Sequence, residues 1–110
     1  MWAQESTINS NSDHFNDNST GRGGGVMWAS EDSTINSNSD HFSNNSADVN
    51  GGVMHVWRST INSRSDHFNN NSAGRGGGAM WELLSRITSK TSTFTHNKAS
   101  SGGVFVLRGL

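Results

Sequence analysis

The feature that most constrains this chain of 110 residues is a repeat of 26 or 27 residues that runs along all of it. Each repeat contains an isoleucine, a phenylalanine seven residues later, an asparagine three residues after that, and then a glycine pair. Consecutive isoleucines lie 27, 26 and 26 residues apart, and so do consecutive phenylalanines. Periods of this size are typical of solenoids, so we predict a single repeat array over residues 1–110. We expect its coils at about 1–25, 26–51, 52–77 and 78–110.

The segments within each repeat predict strands and not helices. They are short, rich in Ser, Asn and Gly, and lack apolar residues at spacings of three and four. A leucine-rich repeat of similar period would need several regularly spaced leucines, which are absent. We therefore predict an all-β coil of parallel strands, in which each residue lies about 4.8 Å from its copy in the next coil.

Stacking of identical residues explains how a chain with only 19 Ile, Leu, Val and Phe residues could build a core. Each apolar side chain would bury most of its area against its own copy. Asparagines in register can hydrogen-bond along the axis through their amides, although Asn is also common in solvated turns. The inward columns that we predict are Ile8, Ile35, Ile61 and Ile87; Phe15, Phe42, Phe68 and Phe94; Asn18, Asn45, Asn71 and Asn97; and Met27, Met54, Met80 and Phe105.

Two changes of repeat length indicate where the loops lie. The interval from Met27 to Ile35 is eight residues, whereas the later repeats have seven, and the interval from Phe94 to Gly102 is eight where the others have nine. A residue inserted in a strand would move every following side chain to the opposite face. We therefore place one turn after the Met column. We place a second, glycine-rich turn before each glycine pair, where a positive φ or a close chain crossing favours glycine.

The motifs FNDN, FSNN, FNNN and FTHN alternate with GGVM, GGVM, GGAM and GGVF. This pattern resembles the Phe-x-x-Asn and Gly-Gly-Ala-Ile repeats of the polymorphic outer membrane proteins, with Val-Met in place of Ala-Ile. The resemblance covers essentially the whole chain. It implies a right-handed parallel β-helix and an adhesin-like role at the cell surface.

Composition argues against several classes of protein. A net charge of −1 gives no electrostatic reason to expect nucleic acid or another polyanion as a partner. The absence of Cys excludes a disulfide framework and a thiolate site. No apolar run approaches 18 residues, so we expect no membrane-spanning segment, and residues 1–6 do not form a signal peptide. Because residues 1–6 match the middle of a repeat, we expect the chain to be part of a longer array.

A row of tryptophans follows the Met column: Trp2, Trp28 and Trp81, with His55 at the same position of the third repeat. Since neighbours on a strand alternate, we predict that this row points outward and that Trp28 and Trp81 bind a ligand. The row would form a stacking platform for sugars or for a neighbouring fibre, with burial under a loop or inside the coil as the alternative. Glu82, which would then point inward, contradicts the pattern locally.

Arg64 and Lys90 depart from the repeat, in a column that begins with Asn11 and Asn38. Two stacked cations could bind an acidic sugar, as they do in polysaccharide lyases of the β-helix fold. A catalytic site should appear as a non-repeating cluster that also contains carboxylates, because chemistry occurs at one place. We therefore predict no catalytic residues, and an enzyme that acts on polysaccharides is the alternative.

Three Asp-His pairs, at residues 13–14, 40–41 and 66–67, could hold a divalent metal. With the following Phe turned inward, alternation sends each His outward, and we interpret the row as solvated side chains copied by repeat duplication. We therefore predict no metal site and no cofactor. The Thr and Asn residues that flank the first three column isoleucines could match a glycan lattice or ice, and the Thr column ends in Arg86.

Three sequons of the type Asn-x-Ser/Thr begin at Asn18, Asn44 and Asn70. In a secreted eukaryotic protein they would be glycosylation sites. Asn18 also belongs to the predicted Asn column, so we expect it to be the least accessible of the three.

Together these features predict a structural or adhesive module of an extracellular or cell-surface repeat protein. Its partners would be further copies of itself, joined end to end into fibres through open strand edges, or glycans and proteins of the cell surface and matrix. The alternative is a carbohydrate-binding or carbohydrate-active β-helix protein.

Overall fold

Each repeat isoleucine is flanked by polar residues on both sides, as expected of a strand that turns one face to a core. The computed structural model describes residues 1–108, with side chains through residue 105, and its regular elements are short strands. Residues 1–108 contain no helix, and hence none that could span a lipid bilayer. In chain order the strands are β1 (Trp2–Gln4), β2 (Thr7–Asn11), β3 (His14–Asn16), β4 (Ser19–Thr20), β5 (Met27–Ser30), β6 (Thr34–Asn38), β7 (His41–Ser43), β8 (Ser46–Ala47), β9 (Met54–Trp57), β10 (Thr60–Arg64), β11 (His67–Asn69), β12 (Ser72–Ala73), β13 (Met80–Leu83), β14 (Arg86–Lys90), β15 (Thr93–Thr95) and β16 (Phe105–Arg108).

These strands form four parallel sheets, one on each side of the coil. Sheet 1 contains β1, β5, β9, β13 and β16; sheet 2 contains β2, β6, β10 and β14; sheet 3 contains β3, β7, β11 and β15; and sheet 4 contains β4, β8 and β12. The register places equivalent repeat positions directly opposite each other, so that Ile61 lies between Ile35 and Ile87. The chain is therefore an all-β parallel solenoid of about four turns, which confirms the predicted fold class.

The core lies inside the coil and consists of stacked copies of the same residues. Phe42 and Phe68 are fully buried, and their rings stack with centroids 4.8 Å apart. Met54 and Ile61 are fully buried as well. Burial of one such side chain stabilises the fold by about 2 to 3 kcal/mol, so short apolar columns can replace a wide core. Column members of the first and last described coils, such as Ile8 and Phe94, are only half-buried.

The Asn column forms a hydrogen-bonded ladder, as predicted. At each step the Oδ1 of one asparagine accepts hydrogen bonds from the backbone N–H and the Nδ2 of the asparagine in the preceding coil, at 2.9 to 3.0 Å. Asn45 and Asn71 are fully buried, so the ladder members inside the stack are not solvated turn residues.

A second ladder, of aspartates, also lies inside the coil. Asp66 Oδ1 accepts the backbone N–H of Asp40 at 2.8 Å, and Asp40 Oδ1 accepts that of Asp13 at the same distance. In each coil a serine three residues earlier donates its hydroxyl to the second carboxylate oxygen, as Ser63 does to Asp66 at 2.6 Å. Asp40 and Asp66 are fully buried, and these hydrogen bonds compensate for the desolvation of their carboxylates.

Each coil turns at four corners, and every corner contains a residue with positive φ. The corner between sheets 4 and 1 uses glycine in all four coils, with φ between 60° and 70°. The other corners use residues with side chains: Glu5, Asp32, Arg58 and Leu84 between sheets 1 and 2; Ser12, Ser39, Ser65 and Thr91 between sheets 2 and 3; and Asp17, Asn44, Asn70 and His96 between sheets 3 and 4. The expected turns are therefore present, but the sequence did not reveal the two corners that flank sheet 3.

The two residues of each glycine pair have different roles. Gly51 adopts a φ of 70°, which side-chain-bearing residues rarely adopt. Gly52 has no such φ, but a Cβ there would lie 2.1 Å from the carbonyl oxygen of Gly78 in the next coil. The first glycine permits the turn, and the second permits the close approach of neighbouring coils.

Both changes of repeat length fall between strands, as predicted. The additional residue lies in the corner between β5 and β6, where Glu31 and Asp32 both have positive φ. The missing residue lies between Lys98, which pairs with Ser72, and Ser101, which pairs with Gly76. The strand registers on either side are therefore preserved.

Candidate functional site

The candidate binding residues form rows on the outer faces of the sheets. On sheet 2 the outward residues are Thr and Asn, which alternate with inward Ile and Ser. Asn36 Nδ2 donates to Asn9 Oδ1, and Asn62 Nδ2 donates to Asn36 Oδ1, both at 2.9 Å. This row holds its amides in fixed orientations, with one copy in each of the first three coils, and Thr88 takes the position in the fourth.

Arg64 and Lys90 lie at the end of the neighbouring row on the same face. The register pairs Arg64 with Asn38 on one side and with Lys90 on the other, so the two cations are adjacent in the sheet. They line a groove of about 480 Å³ together with Asn and Thr side chains, and this groove extends over all four coils. The structure thus brings together the two basic residues singled out from the sequence, and their role in binding remains a prediction.

The row on the outer face of sheet 1 is aromatic. The His55 ring stacks between those of Trp28 and Trp81, with centroid distances of 4.3 and 4.4 Å. These three side chains point away from the core but are half-buried, whereas Trp2 is 73% exposed. Gly23 packs so closely on the row that a Cβ there would lie 2.5 Å from His55. The row is therefore both outward-facing and partly covered by the adjacent corner, so each of the two expectations describes it in part.

His55 is the titratable group that this packing changes most. Burial lowers the pKa of its imidazole from 6.5 to about 4, because the charged form would lose its hydration. Its Nδ1 is buried and has no hydrogen-bond partner among the described residues. His55 is therefore held neutral between the two indole rings at physiological pH. A groove of about 290 Å³ lies beside it, bordered by Trp28, Arg22 and Asn50.

A second outward row on sheet 1 adds to its apolar character. Ser30, Trp57 and Leu83 occupy equivalent positions in successive coils, and Trp57 and Leu83 are half-buried. The guanidinium of Arg58 lies 5.7 Å from the centroid of the Trp57 ring, within the range of a cation–π contact. Sheet 1 therefore presents aromatic rings, whereas sheet 2 presents amides, hydroxyls and cations.

The Asp-His pairs do not form a joint site. His14, His41 and His67 are exposed on sheet 3 and stack with centroid distances of 4.7 and 4.8 Å, whereas Asp40 and Asp66 point inward. Within the part of the chain that the structure describes, no group of three or more His, Asp or Glu side chains is arranged to hold a metal ion. The outward His row agrees with the alternation inferred from the sequence.

All three sequon asparagines are exposed. Burial therefore does not distinguish Asn18 from the other two, contrary to the expectation that it is the least accessible. Asn18 lies in the first coil, where no described coil covers its ladder position from the other side. Its Nδ2 nevertheless donates to Asn45 Oδ1 at 3.0 Å. Asn44 and Asn70 lie at the corner between sheets 3 and 4, with φ of 57°.

Glu82, which seemed to contradict the pattern, is fully buried inside the coil. In the earlier coils a corner serine hydroxyl accepts the backbone N–H of the equivalent serine one coil before, as Ser85 Oγ does for Ser59 N–H at 3.0 Å. Glu82 Oε2 accepts the N–H of Ser85 itself at 2.7 Å. The Glu82 carboxylate thus provides, within one coil, the acceptor that otherwise comes from the next.

The buried Asp row was also missed, although a signal for it exists in the sequence. The alternation that sends each His outward sends the Asp two residues before each Phe inward. The recurring Ser-x-x-Asp spacing identifies the hydroxyl donor that each buried carboxylate needs. Both observations together would have placed these carboxylates in the core.

Comparisons of the chain with protein-family models, with curated proteins and with solved structures found no match.

Proposed function

We propose that this chain is a structural or adhesive module of an extracellular or cell-surface repeat protein. The observation that carries the proposal is the set of outward rows, in which the same or a similar side chain recurs in register in several coils. An extended partner that lies along such a row can repeat the same weak contact several times. Repetition of this kind raises the overall affinity without any single strong site.

The difference in hydrogen bonding between inward and outward side chains supports this role. The inward Asn, Asp and Ser side chains bind one another and neighbouring backbone groups, so they serve the fold. Among the described residues, the exposed His row has one side-chain hydrogen bond, between His67 Nδ1 and Thr93 Oγ1, at 2.7 Å. Side chains on the outside are therefore available to a partner. The resemblance to the repeats of polymorphic outer membrane proteins is a further argument for a surface location.

Assembly of several copies end to end is part of this proposal. Among the described residues, β2, β3 and β4 in the first coil pair on one side only, and so do β14 and β15 in the last. Edges of this kind accept further strands unless something covers them. Copies joined in this way would extend every outward row into a longer track.

A screen for binding to glycans, matrix proteins and cells, combined with electron microscopy of the same sample, tests the proposal. To locate the adhesive face, two variants are compared: Trp28→Thr with Trp81→Thr on sheet 1, and His41→Thr with His67→Thr on sheet 3. The second pair introduces the residue that Thr93 already provides in the fourth coil. Loss of binding in one variant alone would assign the face. A chain that binds nothing and stays monomeric at high concentration would refute the proposal.

A carbohydrate-binding role is the second candidate, and the groove that contains Arg64 and Lys90 favours it. The groove offers Asn amides and the hydroxyl of Thr88, which match the hydrogen-bonding groups of a sugar. Its lining includes no carboxylate, so the groove argues for binding and not for acid-base catalysis.

A further inference from the structure

Charge is segregated along the solenoid axis, although the chain as a whole is nearly neutral. Residues 1–51 contain seven of the nine acidic residues and one of the eight basic residues. In the second half of the described chain the two acidic side chains, Asp66 and Glu82, are fully buried. Six basic side chains there are exposed: Arg58, Arg64, Arg75, Arg86, Lys90 and Lys98. The outer surface of the last two coils is therefore basic, which the net charge of −1 conceals.

Two of these cations are held next to each other without a counter-charge. Arg64 and Lys90 are direct partners in the register of β10 and β14, and both are exposed. Neither side chain makes a hydrogen bond or an ion pair with another residue in the part of the chain that the structure describes. Like charges directly opposite in a sheet repel each other, so the pair weakens the fold when it is empty. An anion bound between the two cations would reverse this effect.

The surroundings of the pair indicate what kind of anion fits. The groove of about 480 Å³ is lined by Asn38, Asn62 and Thr88 near the cations, and by further Asn side chains toward the first coil. These side chains both donate and accept hydrogen bonds, as the hydroxyls of a sugar do. The groove spans all four coils, so it has room for a chain of several units and not only for a small ion.

We propose that this groove on sheet 2 binds a linear acidic polysaccharide, with a sulfate or carboxylate group between Arg64 and Lys90. The uncharged parts of the polymer lie along the Asn rows of the first three coils. The inference rests on the proposed adhesive role, for which it names the ligand class. Nucleic acid fits less well, because no aromatic side chain lines the groove to stack on bases.

The test uses the full chain and four immobilised polymers: dextran sulfate, polygalacturonate, uncharged dextran and single-stranded polythymidine. The double variant Arg64→Asn/Lys90→Asn restores the residue that Asn38 provides in the same column, so the fold tolerates it. The matched control is Arg75→Val/Lys98→Ser, which removes the same charge from the side of sheet 4. It introduces residues that other coils carry at the equivalent positions, Val49 and Ser72.

We expect binding to at least one of the two acidic polysaccharides, none to dextran, and a loss of affinity as ionic strength rises. The groove variant should bind about tenfold more weakly, as expected when two charge-assisted contacts are lost, and the control should change less than about threefold. Equal losses in the two variants would mean diffuse attraction and overturn the proposal, as would tighter binding to polythymidine.

The proposed adhesive role and the acidic groove can fail separately. Binding to cells or matrix proteins without binding to either acidic polysaccharide would refute the proposed ligand of the groove and leave the adhesive role standing. Absence of binding in both experiments would refute both proposals.

Discussion

Individual asparagine side chains hold adjacent coils together. Asn71 Nδ2 donates to Phe42 O at 3.0 Å and to Asn97 Oδ1 at 2.9 Å, while its Oδ1 accepts two hydrogen bonds from Asn45. All of the hydrogen-bonding capacity of this buried amide is therefore used within the protein. A side chain that cannot replace these bonds leaves buried backbone groups without partners.

We predict that Asn71→Ala lowers the free energy of unfolding by about 3 kcal/mol, because it leaves the backbone N–H of Asn45 and the carbonyl of Phe42 without their side-chain partner. Urea denaturation followed by fluorescence measures the change. Asn70→Gly, one residue away, is the matched control, since Asn70 is exposed and has a φ of 57° that glycine adopts readily. A loss as large in Asn70→Gly would show that the ladder is not the cause.

His55 makes the stability of the fold depend on pH. The pKa of His55 in the folded chain is lowered to about 4, whereas the unfolded chain protonates it at about 6.5. A lowered pKa of a basic group means that protons bind the unfolded state more tightly. The contribution of neutral His55 is therefore complete above pH 6.5 and declines as the pH falls from about 6.5 to about 4.

We predict that the melting temperature falls between pH 7 and pH 5 and that His55→Phe reduces this dependence. Phenylalanine keeps an aromatic ring between Trp28 and Trp81 but cannot be protonated. Thermal unfolding of both proteins across this range measures the difference. Parallel curves would contradict a neutral, buried His55.

The corners between strands lower the stability of the coil where they force residues with side chains into a positive φ. Three of the four corners place side-chain-bearing residues at a positive φ, which costs about 1 to 2 kcal/mol for each residue. Asn tolerates this conformation better than most residues, and it is present at Asn44 and Asn70. Leu84 has a φ of 53°, is 48% exposed and gains little from packing in return.

We predict that Leu84→Gly raises the free energy of unfolding by about 0.5 to 1 kcal/mol. The relief of strain exceeds the greater entropy that glycine gives to the unfolded chain. Leu84→Ala is the control, since it removes the same exposed side chain but keeps a Cβ at the positive φ. Urea denaturation compares the two variants, and equal effects would show that exposure and not backbone strain matters at this corner.

The proposed end-to-end assembly of whole molecules depends on the number of strands in each sheet. Sheet 1 has five strands, whereas sheets 2 and 3 have four each among the described residues. If β2 of one copy paired with β14 of another, β1 and β16 would compete for the same place in sheet 1. The acidic first half of one copy would meet the basic second half of the next, so charge favours the head-to-tail arrangement that this overlap hinders.

We predict that removal of residues 1–5 accelerates end-to-end assembly, because the variant that begins at Ser6 no longer has the competing strand. Light scattering gives the rate, and electron microscopy identifies fibres one solenoid wide. Added salt should slow the assembly of this variant by screening the attraction between the two ends. If the full chain assembles as fast as the shortened one, copies do not join by pairing β2 of one with β14 of the next.

Much of the fold could be predicted because stacking repeats the same information four times. The spacing of Ile35, Phe42 and Asn45 from their copies set the length of a coil, and the two length changes located loops. The parallel pairing of strands then followed, because like residues can stack only in that arrangement. The candidate site was predictable in part, since Arg64 and Lys90 share a repeat position and the register makes them neighbours.

What the sequence by itself determined is the period, the strand class and the inward columns, because each depends on residues at regular spacing along one chain. Only the tertiary structure decided how many sides the coil has, because corners at residues such as Ser39 and Asn44 carry no glycine to mark them. It also decided that Glu82 lies inside and that the Trp28 row is half-covered, since both depend on what packs from a neighbouring coil or corner. The groove beside Arg64 exists only once four coils lie side by side, so no local pattern could reveal its shape.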